Sequence, residues 1–171
     1  MLRLGEAAAG FYYLAFMMSN LLYSIAYALN QSVLAEGAYE ELSFRTLVKK
    51  SATAVAASMI PASALLAALG PFVLRLFGTA YAASTRPLLY AFAASGPFVA
   101  AYILGISMLR LKKMERETII ANGFYACSII GMTLLWASKG LGWIGGAWLV
   151  GNLTTGILIA GLYRRGLRSR V

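Results

Sequence analysis

The chain has no histidine and no aspartate, and its acidic residues are few. Histidine is the most frequent catalytic acid or base and a common metal ligand, and hydrolytic carboxylate pairs need two acids held close together. The acids are six glutamates at the ends of apolar runs or in the connections between them: Glu6, Glu36, Glu40, Glu41, Glu115 and Glu117. We therefore expect no enzymatic activity, no metal site and no cofactor.

Cysteine is nearly absent as well. The lone Cys127 excludes an intrachain disulfide, and one thiol does not make a metal site. Its neighbours are Ala126 and Ser128, so the sequence predicts a small side chain that packs between helices.

Charge is scarce and is absent from long stretches. Only 12% of the 171 residues are charged, against about a quarter in soluble domains. Five charge-free runs of at least 21 residues occur, at 7–35, 51–74, 87–109, 118–138 and 140–163. Each run is long enough to span the hydrocarbon core of a membrane. The sequence therefore predicts an all-α, polytopic transmembrane helix bundle with about five spanning helices.

The predicted organisation is a single transmembrane domain over residues 1–171. The expected helices cover about 9–33, 51–76, 87–109, 118–137 and 143–163. The segment 38–50 mixes apolar and charged residues and predicts a short amphipathic helix on the cytoplasmic surface, with a solvated linker as the alternative. Pro61 and Pro97 fall in mid-helix, which is compatible with hinges and equally with static membrane helices. Gly142 and Gly146 form a GxxxG spacing, which favours close helix contact.

The net charge of +9 is distributed by connection and not along one helical face. A nucleic-acid interface is therefore not expected. When the connections are assigned alternately to the two sides, one side carries eleven basic residues and the other only four. Basic residues remain in the cytoplasm, so the N-terminus is predicted outside and the C-terminus inside. The partner that this pattern implies is the lipid bilayer.

The first apolar run carries an unusual polar row. At helical spacing, five polar residues fall on one face, with further polar residues beside them. These five are the candidate site residues: Tyr13, Asn20, Ser24, Tyr27 and Gln31. Lipid cannot hydrogen-bond such side chains, so the row must face water or protein. It either lines a cavity or hydrogen-bonds to neighbouring helices.

Several motifs resemble one family. They are Gly10-Phe11-Tyr12-Tyr13-Leu14-Ala15, then Ser32-Val33-Leu34-Ala35-Glu36-Gly37, then Leu74-Arg75-Leu76-Phe77-Gly78-Thr79-Ala80-Tyr81, and finally Gly142-Trp143-Ile144-Gly145-Gly146-Ala147-Trp148. In order and spacing the chain resembles the polysaccharide transporters. These include the O-antigen-type flippases for lipid-linked oligosaccharides, within the multidrug/oligosaccharidyl-lipid/polysaccharide exporter superfamily.

The resemblance implies a C-terminal portion of a larger transporter. Such flippases have twelve to fourteen helices in two lobes, so this chain would supply the last five helices and would lack its N-terminal lobe. The implied substrate is a polyprenyl-pyrophosphate-linked oligosaccharide, moved across the plasma membrane of a prokaryote for polysaccharide biosynthesis. The polar row would line the substrate cavity. The alternatives are a lobe of a multidrug or cation exporter and a non-transporting membrane scaffold subunit.

Overall fold

A computed structural model describes residues 6–39 and 43–168, and the chain is helical almost throughout these ranges. The helices are α1 (Glu6–Ala38), α2 (Phe44–Leu76), α3 (Thr79–Leu111), α4 (Glu115–Trp136) and α5 (Leu141–Arg168), with a 3₁₀ turn at Ala137–Lys139 before α5. The all-α bundle predicted from the charge-free runs is confirmed. In hydrocarbon a backbone can satisfy its polar groups only internally, which explains why these apolar runs are helical.

Four of the five helices are long and apolar enough to cross a membrane: α2, α4, and the ranges Ala82–Leu111 and Leu141–Arg165 of α3 and α5. The chain is therefore a multi-pass membrane protein. Helix α1 has ample length, at 33 residues. Its hydropathy is lowered by the polar row, which includes Asn20 and Gln31, and its crossing of the membrane stays a prediction.

The helices begin and end at places that differ from the predicted bounds. Helix α3 begins at Thr79 instead of Pro87, directly after Gly78, whose φ of 120° interrupts the helical backbone. Residues 79–86, which the predicted bounds leave outside the helices, are thus helical.

The amphipathic segment predicted at 38–50 is not a separate helix. Residues 40–42 lie outside the described part of the chain, and the residues from Phe44 onward are the first turns of α2. Ser43 begins α2 by accepting a hydrogen bond from the Thr46 backbone amide at 3.4 Å. The 33 residues of α2 extend about 50 Å, well beyond a hydrocarbon core of about 30 Å. The charged first turns can therefore project into the headgroup region while the helix continues.

Helix α3 is the centre of the bundle. It packs closely against α1, α2 and α5, and only lightly against α4, which packs mainly on α5. Fully buried residues of α3 include Leu88, Leu89, Phe92 and Leu109. Helices α2 and α4 are peripheral and expose many large apolar side chains, as lipid-facing helices do. Cys127 lies on the exposed part of α4, so the predicted packing position for this thiol is wrong.

The basic connections lie at one end of the bundle. Lys112, after α3, lies 4.2 Å from the ring centroid of Phe44 at the start of α2. Phe44 stacks on Tyr163 near the end of α5, with ring centroids 5.8 Å apart. Lys50 pairs with Glu36 at 2.9 Å, which brings the end of α1 to the same place. We name this the basic end; Arg3 and Arg170, which also entered the charge comparison, lie outside the described residues.

A glycine allows α5 to pack closely on α3, but it does not belong to the predicted pair Gly142 and Gly146. A Cβ added at Gly145 would lie 2.6 Å from the Ala91 Cβ and 3.4 Å from the Leu88 carbonyl oxygen. At Gly146 the nearest atom would be an indole carbon of Trp136 at 3.6 Å, an ordinary contact. Gly142 faces Pro87 of α3, whereas Gly146 faces Trp136 of α4, so the two do not form one contact. The close approach depends on Gly145.

Replacing Gly145 by alanine is therefore expected to destabilise the bundle. The new methyl group would meet the Ala91 methyl, which cannot rotate away, and overpacking of this kind costs about 1–3 kcal/mol. Thermal unfolding of the detergent-solubilised chain, followed by circular dichroism, measures the effect. Gly146→Ala is the matched control and should unfold like the wild type; equal unfolding temperatures for both variants would contradict the proposed contact.

Candidate functional site

The polar row of α1 lies on the surface of the bundle. All five candidate residues are exposed, and Tyr13 and Tyr27 expose 63% and 57% of their surface. The Ser24 hydroxyl donates to the Leu21 carbonyl at 2.7 Å, within its own helix. The helices described here do not cover the row. Its part in binding a substrate stays a prediction.

The polar residues beside the row have a different environment. Tyr23, at 3% exposed, and Ser19 are buried between α1 and its neighbours. The Tyr23 hydroxyl donates to the Phe92 carbonyl at 3.1 Å and lies 2.8 Å from the Ser95 hydroxyl of α3. The broad polar arc of α1 is thus divided: Tyr23, beside the row, hydrogen-bonds to α3, and the row itself remains exposed.

The exposed face of α1 is also divided into two flanks. Tyr27 and Asn20 lie on the side of the helix nearest the buried Tyr23, whereas Leu21 and Ile25 lie toward α2. Leu21 and Ile25 line an entirely apolar groove of about 370 Å³ between α1 and α2, together with Leu65 and other residues of α2. One exposed face therefore offers hydrogen-bonding groups along one edge and hydrocarbon along the other.

An aromatic cluster around Trp148 of α5 fixes the position of α1. The Trp148 ring stacks on Tyr23, with centroids 6.5 Å apart, and meets Phe16 edge-on at 6.2 Å. It also contacts Phe92 of α3 at 5.9 Å. Contacts of this geometry contribute about 0.5–1.5 kcal/mol each beyond the area that they bury. The cluster joins three helices directly behind the polar row.

The cluster continues into α4. Tyr125 meets Trp148 edge-on at 6.5 Å and stacks on Tyr102 of α3, with centroids only 4.2 Å apart. The Tyr102 hydroxyl donates to the Asn122 side-chain oxygen at 2.7 Å, and the Asn122 amide donates to the Thr118 carbonyl at 2.9 Å. These half-buried groups form a hydrogen-bonded aromatic surface between α3 and α4.

Sequence reasoning did not select these residues in α3, α4 and α5. A signal was present, since Asn122 and Tyr125 are three residues apart and Trp148 and Asn152 four apart, so each pair shares a helical face. Each pair is too short to stand out against a long apolar run. Only the folded chain shows that Tyr125 contacts both Tyr102 and Trp148, and that Trp148 connects these residues to Tyr23 of α1.

The chemistry available along the row is neutral hydrogen bonding combined with aromatic contact. Amides, hydroxyls and tyrosine rings bind uncharged polar ligands and can stack on apolar faces. Among the described residues, no group of three or more histidine, cysteine or acidic side chains is placed to hold a metal ion.

Comparisons with known proteins return nothing for this chain. A scan against protein-family models, a search of curated proteins and a search of solved structures each find no match.

The division between the buried and the exposed tyrosines of α1 can be tested by removing single hydroxyls. Tyr23→Phe loses the hydrogen bonds to Phe92 and Ser95 and is expected to lower the free energy of unfolding by about 1 kcal/mol. Tyr27→Phe is the matched control, because Tyr27 is 57% exposed. The measurement is reversible unfolding in mixed micelles, followed by tryptophan fluorescence. Equal losses in the two variants would contradict the buried role of Tyr23.

Proposed function

We propose that this chain is one lobe of a membrane transporter, resembling the flippases of lipid-linked oligosaccharides, and that the polar row of α1 lines its substrate path. The observation that supports the proposal is the exposure of the row on a helix whose opposite side is firmly packed. The fold and its membrane character are compatible with this function. The specific resemblance rests on the sequence motifs alone.

The transfer of an amide from water into lipid is strongly unfavourable. An amide without a hydrogen-bond partner costs about 4–8 kcal/mol in hydrocarbon. Asn20 is exposed near the middle of α1 and makes no hydrogen bond within the described residues. Its side chain therefore has to meet water or a polar partner, and a water-filled path between two lobes would supply both.

The same helix also has an exposed apolar flank. Leu21 is 75% exposed and belongs to the hydrocarbon-like groove shared with α2. A helix with one polar and one apolar exposed flank suits the boundary between an aqueous path and the bilayer. An amphiphile with a sugar headgroup and a lipid chain would find matching surfaces side by side.

The polar row consists of uncharged residues. The carboxylates whose side chains the structure describes, Glu36, Glu115 and Glu117, are at the basic end and not near the middle of the helices. A sugar needs no charged partner, so the neutral row suits it. The row offers no cation for a pyrophosphate, and in this proposal that group is held elsewhere. A multidrug or cation exporter would be expected to place a carboxylate along its path, which makes it the weaker alternative.

A scaffold subunit is the alternative from another functional class. A scaffold that covers the row with its own helices would bury Asn20, Tyr27 and Gln31, and the structure exposes all three. The exposure favours the transporter proposal over that form of scaffold. A scaffold that covers the row with a second protein differs from a transporter in one measurable property, the access of water.

Water access can be measured by cysteine labelling in membranes. In a Cys127→Ser background, Asn20→Cys and Tyr27→Cys are expected to react with a water-soluble maleimide, because a polar path hydrates them. Leu21→Cys and Ile25→Cys, on the lipid flank, are the matched controls and should stay at least about tenfold slower, since thiolate formation requires water. Equal protection at all four positions would contradict the aqueous path.

Substrate class is tested separately by binding. The purified chain is expected to retain a polyprenyl-pyrophosphate-linked oligosaccharide in native mass spectrometry, and the double variant Asn20→Ala, Gln31→Ala should retain about tenfold less, from two lost hydrogen bonds. The polyprenyl pyrophosphate without sugar is the control ligand, and its binding should not change. Retention of a lipophilic cation in place of the sugar lipid would favour the exporter alternative, and retention of neither would favour a scaffold.

A further inference from the structure

A second apolar cavity lies at the basic end, away from the polar row. It occupies about 240 Å³ between α2 and α5, with α3 as its floor. Phe44 and Val48 form one wall, Ile159 and Tyr163 form the other, and Met108 lies on the floor. We call it the inner slot. Its lining is hydrocarbon and aromatic, so it suits one aliphatic chain.

Small residues keep the inner slot open. A Cβ added at Gly156 would meet no atom within 4 Å, so the slot extends directly above this glycine. Ala160, one turn later, also lines the slot and is exposed. A side chain at Gly156 would begin in open space, and Ala160 already lines the slot, so a larger side chain at either position is expected to occupy it. The slot can therefore be filled by substitution.

The rim of the inner slot combines aromatic rings with positive charge. Phe44 and Tyr163, which both line the slot, stack with their ring centroids 5.8 Å apart. The Lys112 ammonium lies 4.2 Å from the Phe44 ring centroid. Arg45 and Arg164 are the next residues along the two helices, turned by about 100° around the helix axis from the rings. An apolar slot thus opens beside the Lys112 cation, with further cations at the same end of the bundle.

The end of the bundle at which the rim lies carries mostly positive charge. Nine basic residues with described side chains lie at the basic end: Arg45, Lys49, Lys50, Arg110, Lys112, Lys113, Arg116, Arg164 and Arg165. The described acids there are Glu36, Glu115 and Glu117, which leaves a net charge of nine minus three, or +6. Glu36 is already paired with Lys50. The rim is therefore complementary to an anion that carries an aliphatic chain.

We propose that the inner slot binds an anionic phospholipid of the cytoplasmic leaflet, with one acyl chain between α2 and α5 and its phosphate beside Lys112. Two features point to a lipid and not to a free phosphate. The cavity beneath the cations is apolar, and it lies within helices that cross the membrane. A chain that moves from bilayer to slot exchanges one hydrocarbon environment for another and gains little. Selectivity must therefore come from the headgroup, through the cations at the rim.

This site is independent of the proposed transport function. It lies at the end of the bundle where α2, α3 and α5 meet, and none of the five residues of the polar row lines it. It joins α2 to α5, which otherwise have few contacts with each other. A bound lipid would fill the space between these two helices.

The test uses the full chain in detergent and native mass spectrometry with two added lipids. Phosphatidylglycerol is the anionic probe, and phosphatidylcholine with the same acyl chains is the neutral control. The wild type is expected to retain phosphatidylglycerol preferentially. Lys112→Gln should reduce that retention by about fivefold, the effect of one cation near a headgroup, and should leave phosphatidylcholine unchanged. Arg75→Gln, at the opposite end, is the charge control and should behave as the wild type.

The slot itself is tested by filling it. Gly156→Leu and Ala160→Leu should each reduce phosphatidylglycerol retention at least about fivefold, with helix content by circular dichroism unchanged. Gly161→Leu is the matched control, since Gly161 is exposed, has open space around it and does not line the slot. Equal retention of the two lipids overturns the proposal, as does wild-type retention in both filled variants. Inorganic phosphate is the third probe. If phosphate competes with the lipid equally in the wild type and in both filled variants, the cations bind a free anion, and this result also overturns the proposal.

Discussion

The arrangement of the bundle depends on one side-chain contact, the packing of the Trp148 indole between Tyr23 and Phe92. The backbones of α1 and α5 stay apart, and each packs closely on α3. Trp148 fills the space between them and sets the rotation of α1 about its own axis. That rotation buries Tyr23 and Ser19 and leaves Asn20 and Tyr27 exposed. The exposure of the polar row therefore depends on this contact.

The buried hydrogen bonds of Tyr23 reinforce the same rotation. Van der Waals contacts alone allow a helix to turn by several degrees with little loss, whereas a hydroxyl held by Ser95 and the Phe92 carbonyl is directional. In a membrane interior this specificity is valuable, because burial of apolar surface does not distinguish protein from lipid. The Tyr23 ring provides the contact area, and its hydroxyl group determines the rotation of α1 about its axis.

The sequence was sufficient to predict that the helices exist, but not where each helix begins and ends. Charge-free runs of at least 21 residues predict helices because hydrocarbon allows little else. Charged residues, however, indicate where the chain leaves the hydrocarbon, and a helix can continue beyond that point. Helix α2 therefore continues through Lys49 and Lys50 to Phe44, and α3 begins at Thr79, where Gly78 interrupts the backbone.

The sequence was sufficient to predict which face of α1 carries the candidate residues, but not which of the polar residues on α1 are covered by other helices. Periodicity places Tyr13, Asn20, Ser24, Tyr27 and Gln31 on one face of α1, and the structure exposes all five. The same periodicity places Tyr23 and Ser19 beside them and cannot show that α3 and α5 cover this flank. That distinction depends on residues distant in sequence, namely Ser95, Phe92 and Trp148. Similarly, the GxxxG spacing indicated α5 as a packing helix, but only the position of Ala91 identifies Gly145 as the contact.

The polar row and the inner slot require different surroundings. The row exposes amides and hydroxyls, which are costly in lipid, so α1 needs water or a polar partner along one flank. The slot exposes only hydrocarbon beneath cations, and it can be satisfied by the bilayer itself. Helix α3 separates the two, because α1 packs on one side of it and the slot opens between α2 and α5 on another. A lipid in the slot would stabilise α2 and α5 without competing for the polar row, so the two surfaces can be occupied at the same time.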